Sequence, residues 1–370
     1  MKAVIAANSY TSALKTISAL LGQDVDCVVI AESGKLYIES SNMEAWLKVH
    51  LAVAEDLEGE GRMPTKFEFL NAIRPNGNLT LTYEKGDDRI NISMGRSRGA
   101  IRIMEEDEIA INDPGPEIKV LAKIPASLLI AATAATSFKP LVLDSSSPNA
   151  IIEVFKGSFN LSSYDIYLGT LYKAVNPDIK AKRDFRLTVE MDYWRRIVGC
   201  MSAGLTALIG ADDKQFRVKT ECFELYHALI DEDTQDVAEV IENLKNGEDR
   251  LAVIEFDGKD MVEAIDAAKG IIKAGSKEEA RFKFTLTNDS AIILTESGVG
   301  VMESEIDIIG YDKEEEVNFV ASSNCFSDLL KLTRDDNIKY GPVKLTVLPQ
   351  YLVLESVKVP ASSISPVLDD

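Results

Sequence analysis

The fold is indicated by two stretches of similar layout, Leu79-Thr80-Leu81-Thr82-Tyr83 before Gly86-Asp87-Asp88, and Leu205-Thr206-Ala207-Leu208-Ile209 before Gly210-Ala211-Asp212-Asp213. Each reads as a strand that runs into a turn rich in glycine and aspartate. Each also follows a predicted helix by a few residues. The two copies lie about a third of the 370-residue chain apart, which predicts an internal repeat. A third stretch, 343–355, keeps the order of elements but not the residues.

Six helical patterns follow the same repeat. Apolar residues recur at helical spacing, as in Leu14, Ile17 and Leu21, so each helix is expected to lay one face on a sheet. The rest of the chain reads mainly as strands. The helices are predicted over Asn8–Leu21, Pro64–Arg74, Ser127–Lys139, Glu190–Ser202, Asp257–Lys273 and Ser322–Arg334, which form three pairs.

These pairs predict an α+β protein of three tandem modules, each with two helices packed on antiparallel sheets. The first connector is expected at 111–117, which contains Pro114, Gly115 and Pro116. The second is expected at the acidic stretch 231–249, where residues 236–244 also show helical spacing. We therefore predict modules over residues 1–113, 114–245 and 246–370.

The bulk composition is that of a globular protein, with 46% hydrophobic and 27% charged residues. The net charge of −20 argues against a protein that coats nucleic acid with its outer surface, although a locally basic surface is still allowed. No apolar run reaches the roughly 18–20 residues that span a bilayer. The start, Met1-Lys2-Ala3-Val4, shows no secretion pattern. A cytoplasmic protein without membrane contact is predicted, in the host cytoplasm if the protein is viral.

No pattern of catalytic or metal-binding residues is present. His50 and His227 lie in strand-like runs and are expected to be partly buried sheet residues. The turn 95–99 lacks the helix that a phosphate-binding loop precedes, and the acidic run 105–108 is expected to be solvated. The four cysteines, Cys27, Cys200, Cys222 and Cys325, are widely spaced and are expected to be buried thiols. We therefore predict a non-enzymatic binding protein without metal or cofactor.

Positive charge is concentrated on the predicted helices. Together they carry a net charge of +3, whereas the rest of the chain carries −23. Several of these cations, such as Arg74 and Lys139, lie near helix C-termini, where the helix dipole favours them in any protein. The enrichment therefore permits a DNA-facing surface but does not establish one.

Four local patterns resemble the bacterial-type DNA polymerase sliding clamp. Leu14, Ile17, Leu20 and Leu21 match the apolar face of its first helix. Residues 89–102 (RINISMGRSRGAIR) look like the strand, turn and strand that end its first module, and Ile124-Pro125 looks like the start of its second. Lys358-Val359-Pro360 looks like its closing strand, although ten residues follow Pro360 here and the turn near Tyr164 departs from the pattern.

The resemblance implies that each chain forms half of a ring, with helices lining the hole. Two subunits would encircle duplex DNA without reading its sequence and tether the replicative polymerase, with a clamp loader as a further partner. The alternative is a β-rich structural or assembly protein of a virus, which would have no reason to place cations on six helices. The candidate DNA-facing residues are Lys15, Lys66, Arg74, Lys139, Arg195, Arg196, Lys259, Lys269, Lys273, Lys331 and Arg334.

The resemblance also implies two protein contacts. A head-to-tail homodimer would pair an arginine-bearing strand with an acidic one, because opposite charges suit edge-to-edge pairing. The candidate interface residues are Arg96, Arg98 and Arg102 on one side and Glu303, Glu305 and Asp307 on the other. A partner peptide would insert between the second and third modules, with Tyr164, Ile166, Leu168, Val357, Val359 and Pro360 as candidate pocket residues.

Overall fold

The computed structural model describes residues 1–55, 57–136, 148–164, 168–230, 236–275, 281–297, 300–323, 326, 330 and 341–368. Two compact units can be distinguished. Unit 1 contains Met1–Ile130, Asp178–Leu187 and Arg195–Asp231, and unit 2 contains Ala131–Pro177, Thr188–Trp194 and Glu232–Asp370. Residues of the predicted second module lie in both units, so the three module boundaries stay a prediction. No helix in the described ranges is long and apolar enough to cross a membrane.

Unit 1 is built mainly of antiparallel strands with short helices. Its elements are β1 (Lys2–Ile5), α1 (Ala7–Leu21), β2 (Asp26–Glu32), β3 (Lys35–Ser41), β4 (Ala45–Leu51), β5 (Gly61–Lys66), α2 (Phe67–Asn71), β6 (Leu79–Thr82), β7 (Arg89–Met94), β8 (Ser97–Arg102), β9 (Ala122–Pro125), β13 (Lys180–Ala181), β15 (Thr206–Ala211), β16 (Gln215–Lys219) and β17 (Phe223–Ala228). Three elements have residues in both units: α3 (Ala126–Thr136), β14 (Phe185–Glu190) and α4 (Met191–Gly199).

Unit 2 repeats the same kinds of element. They are β10 (Asn149–Phe155), β11 (Ser158–Tyr164), β12 (Gly169–Val175), α5 (Val237–Asn246), β18 (Ala252–Asp257), α6 (Gly258–Gly275), β19 (Arg281–Leu286), β20 (Ser290–Ser297), β21 (Gly300–Tyr311), β22 (Val317–Ser322), β23 (Pro342–Val347), β24 (Tyr351–Ser356) and β25 (Ala361–Pro366).

The strand pairings repeat three times along the chain. The pairs β1–β6, β9–β15 and β18–β23 occupy the same place in the three repeats. In each pair, a strand that directly precedes a helix pairs with a strand of a later hairpin. The sheet orders are β1-β6-β7-β8 and β13-β9-β15-β16-β17-β4-β3-β2-β5 in unit 1, and β14-β10-β11-β12-β25-β24-β23-β18-β21-β20-β19-β22 for the sheet of unit 2. The repeat predicted from the turn motifs is therefore present in the topology, and the α+β fold class is confirmed.

Two further strand pairings connect one predicted module with the next. In unit 1, β4 pairs with β17 from Val49 opposite Phe223 to Ala45 opposite His227. In unit 2, β12 pairs with β25 from Gly169 opposite Ile364 onward. Each joins the third strand after one helix to the third strand after another. The sheets therefore continue from one predicted module into the next.

The helices pack as the apolar spacing predicts. In unit 1, α1 packs on β3 and β4 through buried Leu14, Ile17 and Leu21. In unit 2, α6 covers β18, β20 and β21, with Met261 and Ile265 in a core that also contains Phe284. Burial of this kind stabilises by about 25 cal/mol for each Å² of apolar surface removed from water.

The predicted start of the second helix is wrong. Pro64 lies inside β5, opposite Val28 of β2, and α2 begins only at Phe67. Strand β5 is the last strand of its sheet, where proline is tolerated because its missing N–H is not needed by a further neighbour. The predicted helix over Ser322–Arg334 lies mostly outside the described residues, although Ser323, Phe326 and Leu330 are helical and buried.

The predicted burial of the cysteines and histidines is confirmed in part. Cys27 is buried, Cys200 is half-buried and Cys222 is exposed, so the prediction of burial is wrong for Cys222. That residue lies in the turn between β16 and β17, which faces solvent. His50 and His227 are both half-buried sheet residues, as expected, and Cys325 lies outside the described residues.

A buried arginine fastens the first predicted connector to unit 1. Arg217 is 4% exposed, donates to the Ile118 carbonyl at 2.8 Å, and pairs with Glu224 at 2.6 Å and Glu117 at 2.9 Å. Burial by itself would lower the pKa of Arg217, but Glu224 and Glu117 raise it above its ordinary value. At Gly210 a Cβ would lie 2.5 Å from the Lys119 carbonyl oxygen, so only glycine permits the connector to pass there.

Candidate DNA-facing and partner-binding surfaces

Two of the predicted DNA-facing cations lie together in unit 1. Lys15 on α1 and Arg74 after α2 are both exposed, and both line a cavity of about 540 Å³. The Tyr10 hydroxyl donates to the Leu70 carbonyl at 2.8 Å, which ties α1 to α2 beneath the cavity. Arg74 also donates to the Asn71 carbonyl. The arrangement presents two long cationic side chains on a rigid base, which suits contact with phosphates without base readout.

The remaining candidate cations of unit 1 differ in exposure. Lys66 is half-buried at the end of β5, whereas Arg195 and Arg196 are exposed neighbours on α4. Trp194 is fully buried and donates from Nε1 to the Thr133 hydroxyl at 3.0 Å. This hydrogen bond orients α4, because an indole N–H in a core needs a partner.

The cations of unit 2 are partly compensated by acidic neighbours on α6. Lys259 lies 3.5 Å from Glu263, and Lys269 lies 3.3 Å from Asp266. Ion pairs of this kind within one helix stabilise it by only about 0.3–0.5 kcal/mol, and they leave Lys259 accessible, whereas the Lys269 side chain is only 27% exposed. The candidates Lys139, Lys331 and Arg334, and the side chain of Lys273, lie outside the described part of the chain.

The candidate interface residues lie on open sheet edges. Arg96 is exposed in the turn before β8, and Arg98 and Arg102 are exposed on β8, the last strand of its four-stranded sheet. Glu303, Glu305 and Asp307 are exposed on β21. Over residues 300–307, β21 pairs only with β20 among the described strands, because its pairing with β18 is confined to residues 308–311.

A groove of about 420 Å³ lies beside the β8 edge. It is lined by apolar side chains of α2 and the β7–β8 hairpin, among them Phe69, Ile92 and Ile101, and by Arg98 and Arg102. An apolar slot flanked by arginines next to the outer edge of the last strand of a sheet is a surface that another protein segment can cover.

The five candidate pocket residues that the structure describes lie at the two ends of the β12–β25 pairing. Leu168 is buried at the start of β12, at the end where Gly169 lies opposite Ile364, and Tyr164 is half-buried at the end of β11. Val357, Val359 and Pro360 precede β25, and the Pro360 carbonyl accepts from the Lys173 amide at 2.9 Å, at the other end of the same pairing. Four strand residues span about 13 Å, so the two groups lie that far apart along the β12–β25 pairing. Ile166 lies outside the described residues.

The closing strand is therefore not Lys358-Val359-Pro360. It is β25, Ala361–Pro366, which pairs with β12 on one side and β24 on the other. The resemblance left the ten residues after Pro360 as an extension beyond the closing strand, and three of them are serines. Ser363 and Ser365 are nevertheless buried, and Ile364 meets the apolar surface of α5.

Helix α5 lies over the pairing of β12 with β25. Val237 and Ile241 are buried against Leu171, Val353 and Ile364, as the helical spacing of residues 236–244 predicts. Ion pairs hold its polar side, with Lys173 to Glu242 at 2.8 Å and Lys245 to Glu355 at 2.6 Å. The Asp236 side chain accepts from the Glu239 amide and caps the helix start.

A close approach marks the apolar surface beneath α5. A Cβ on Gly169 would lie 3.1 Å from Ile364 and 3.3 Å from Val237, so helix, tail strand and β12 meet there. Sequence reasoning missed Leu171, Gly169 and Ile364 because it placed the closing strand too early. The Ile364-Ser365-Pro366 run carried a related signal, since an apolar residue again stands shortly before a proline.

The comparisons with known proteins identify the class of fold. The whole chain has the fold of the DNA polymerase III β subunit sliding clamps. It is covered completely in superpositions on the β subunit from Thermotoga maritima (TM-score 0.79, 15% identity, 99% of that chain) and on the sliding clamps from Bacillus subtilis (0.81, 14%, 99%) and Pseudomonas aeruginosa (0.80, 13%, 100%). No protein-family model and no curated protein matches the sequence.

Proposed function

We propose that this protein is a DNA sliding clamp, which encircles duplex DNA and tethers the replicative DNA polymerase. The observation that carries the proposal is the agreement of fold over the entire chain with proteins described as sliding clamps. The charge distribution supports it, since a strongly acidic chain with cations on its helices repels DNA from outside and contacts phosphates locally. Such a clamp acts as a binding protein and catalyses no reaction. Electron microscopy of the purified particle tests the proposal, and an open or filled particle without a central hole would contradict it.

The fold suggests how a ring closes from two copies. The β4–β17 and β12–β25 pairings leave the equivalent strands β21 and β8 with open edges. Pairing of β21 of one copy with β8 of the other extends the same series of contacts head to tail, and two such contacts related by a twofold axis close a ring. A loader would then act on this contact to admit DNA.

The first prediction concerns the contact with DNA. In the variant with Lys15→Glu and Arg74→Glu, we expect weaker retention on circular duplex DNA and a weaker salt dependence. The reason is that removing one phosphate interaction reduces the slope of log affinity against log salt by about 0.9. Retention on nicked circles measured by gel filtration at several salt concentrations gives both values.

The matched control is the variant with Lys85→Glu and Lys214→Glu. Both lysines are exposed in loops away from the helices, and the change in net charge is the same. Equal losses in the two variants would mean that net charge alone, and not the α1–α2 surface, governs retention.

The second prediction concerns the polymerase contact. We propose that the partner peptide binds where α5, β12 and β25 meet, because a few apolar anchors carry most of the energy in such contacts. Ile364→Asp should abolish stimulation of the cognate polymerase while primer-template retention of the clamp persists. The measurement is the length of product made per binding event.

Val359→Asp is the control for position. Val359 lies at the other end of the β12–β25 pairing and is only half-buried, so this variant should stimulate the polymerase normally. If Val359→Asp impairs stimulation and Ile364→Asp does not, the peptide binds at the Pro360 end instead.

A further inference from the structure

A second groove in unit 1, of about 910 Å³, lies at the end of the pairing between β4 and β17, and we call it the β4–β17 groove. Leu36 and Leu51, paired across β3 and β4, are buried in its lining. Half-buried Val53, Leu57 and Leu208 extend this apolar lining to both sides. Its volume lies in the range of ordinary ligand sites, about 300–1,000 Å³.

Backbone hydrogen bonds hold both sides of the β4–β17 groove in place. On one side the Ala54 amide donates to the Val4 carbonyl at 2.7 Å, which fixes the segment after β4 against β1. On the other, the Thr220 hydroxyl oxygen accepts from the Cys222 and Phe223 amides, each at 3.2 Å, which fixes the β16–β17 turn. A groove that is already formed spares a ligand much of the cost of ordering the protein.

Three lysines from three strands reach the β4–β17 groove: Lys35 of β3, Lys123 of β9 and Lys219 of β16. Lys219 is paired with Glu224 at 2.8 Å. Lys35 and Lys123 are exposed, and neither forms an ion pair within the described ranges. On a chain with a net charge of −20, two uncompensated cations beside an apolar lining favour a ligand that carries a carboxylate next to an apolar group.

The other polar groups of the lining limit the kind of anion. Glu55 and Glu221 are exposed at the groove, so an extended polyanion such as a nucleic acid would meet two carboxylates. Burial, followed by the charges of Lys48, Lys219 and Lys35, lowers the pKa of His50, which favours the neutral ring, and a neutral imidazole can both donate and accept a hydrogen bond. A short peptide, with its few acidic groups confined to one place and its own backbone amides, matches this mixed lining better than a phosphate chain.

We propose that the β4–β17 groove is a docking site for a partner-protein segment in which acidic residues adjoin a leucine-sized side chain. The leucine-sized group packs on Leu36, Leu51 and Leu208, and the carboxylates pair with Lys35 and Lys123. The site is separate from the surface under α5, so it allows a second protein segment to bind the same chain.

Fluorescence anisotropy with the whole chain tests this site. The probe is a fluorescein-labelled Gly-Ser-Asp-Asp-Leu-Leu-Ser-Gly amide, and its partner probe has Asn-Asn in place of Asp-Asp. We expect saturable binding of the acidic probe only. The variant with Lys35→Glu and Lys123→Glu should weaken it by roughly tenfold or more, whereas Lys85→Glu with Lys214→Glu should change it by less than about twofold.

Photo-crosslinking locates the bound probe. Thr206 is exposed at the groove and accepts a benzophenone after Thr206→Cys, in a background with Cys222→Ser because Cys222 is exposed nearby. Crosslinking of the acidic probe supports the site. The proposal is overturned if the acidic probe shows no saturable binding to about 1 mM, if the Asn-Asn probe binds equally, if the lysine variant binds normally, or if a single-stranded oligonucleotide displaces the probe. The measurement needs neither DNA nor polymerase, so its failure leaves the proposed clamp function untouched.

Discussion

Arg217→Met should lower the free energy of unfolding by about 3 kcal/mol, because removing the buried cation leaves the buried Glu224 carboxylate with only Lys219 as an ion-pair partner in the described ranges. Arg217 is 4% exposed and contacts Glu224, Glu117 and the Ile118 carbonyl at 2.6–2.9 Å. Its removal leaves that carbonyl without its side-chain donor and releases the connector that passes over Gly210. Urea unfolding followed by circular dichroism measures the change, and the dependence on urea should keep its slope.

Glu117→Gln is the matched control for Arg217→Met. The Glu117 side chain is 77% exposed, so its pair with Arg217 is screened by water and its removal should cost less than about 1 kcal/mol. If both substitutions have the same effect, the arginine acts only through its exposed partner and the buried network contributes little.

The helices were predictable from the sequence where their apolar faces are regular. Predicted Asn8–Leu21 and observed α1 differ by one residue at the start, because Leu14, Ile17 and Leu21 fix the buried face. Pro64 misled the prediction of the second helix, since proline suits both the first turn of a helix and an edge strand. The choice between the two depends on β2, a neighbour that lies far away in the sequence.

The candidate site was less predictable because it depends on long-range pairing. The apolar spacing of residues 236–244 was visible and predicts α5, but no local pattern indicates that this helix lies over β12 and β25. The resemblance placed the closing strand at Lys358-Val359-Pro360 and left the tail beyond it. Ser363 and Ser365 are buried because they lie in a strand with neighbours on both sides, which supply backbone hydrogen bonds.

The proposed dimer contact rests on the outer edges of β8 and of β21 over residues 300–307, which have no neighbouring strand in the described ranges. The backbone N–H and C=O groups of successive β8 residues point alternately toward β7 and away from it. The Ile103 amide donates to the Asp88 carbonyl on the β7 side. The Arg102 carbonyl accepts from the Thr65 hydroxyl on the opposite side. By the same alternation, the amides of Arg98 and Ala100 point away from β7, toward the edge that a partner strand would occupy.

Ala100→Pro should therefore leave each chain folded and separate the subunits. Proline is tolerated at an edge position whose N–H faces solvent, but it removes a donor and adds a steric block to any strand pairing there. Light scattering at micromolar concentration should give about twice 40.6 kDa for the unchanged protein and about 40.6 kDa for the variant. Retention on circular DNA should disappear together with the dimer, because a half-ring cannot enclose the duplex.

Charge reversal and its rescue distinguish the loss of this contact from a general disruption of the fold. Arg98→Glu with Arg102→Glu places two new acidic groups on the β8 edge opposite the acidic β21 edge, which opposes pairing. Adding Glu303→Arg and Glu305→Arg restores opposite signs and should restore the dimer and its retention on DNA. Thermal unfolding of the monomeric forms should match, which shows that the fold is intact. A 40.6 kDa monomer for the unchanged protein, or a dimer that persists in both Ala100→Pro and the arginine reversal, would mean that the subunits do not meet through β8 and β21.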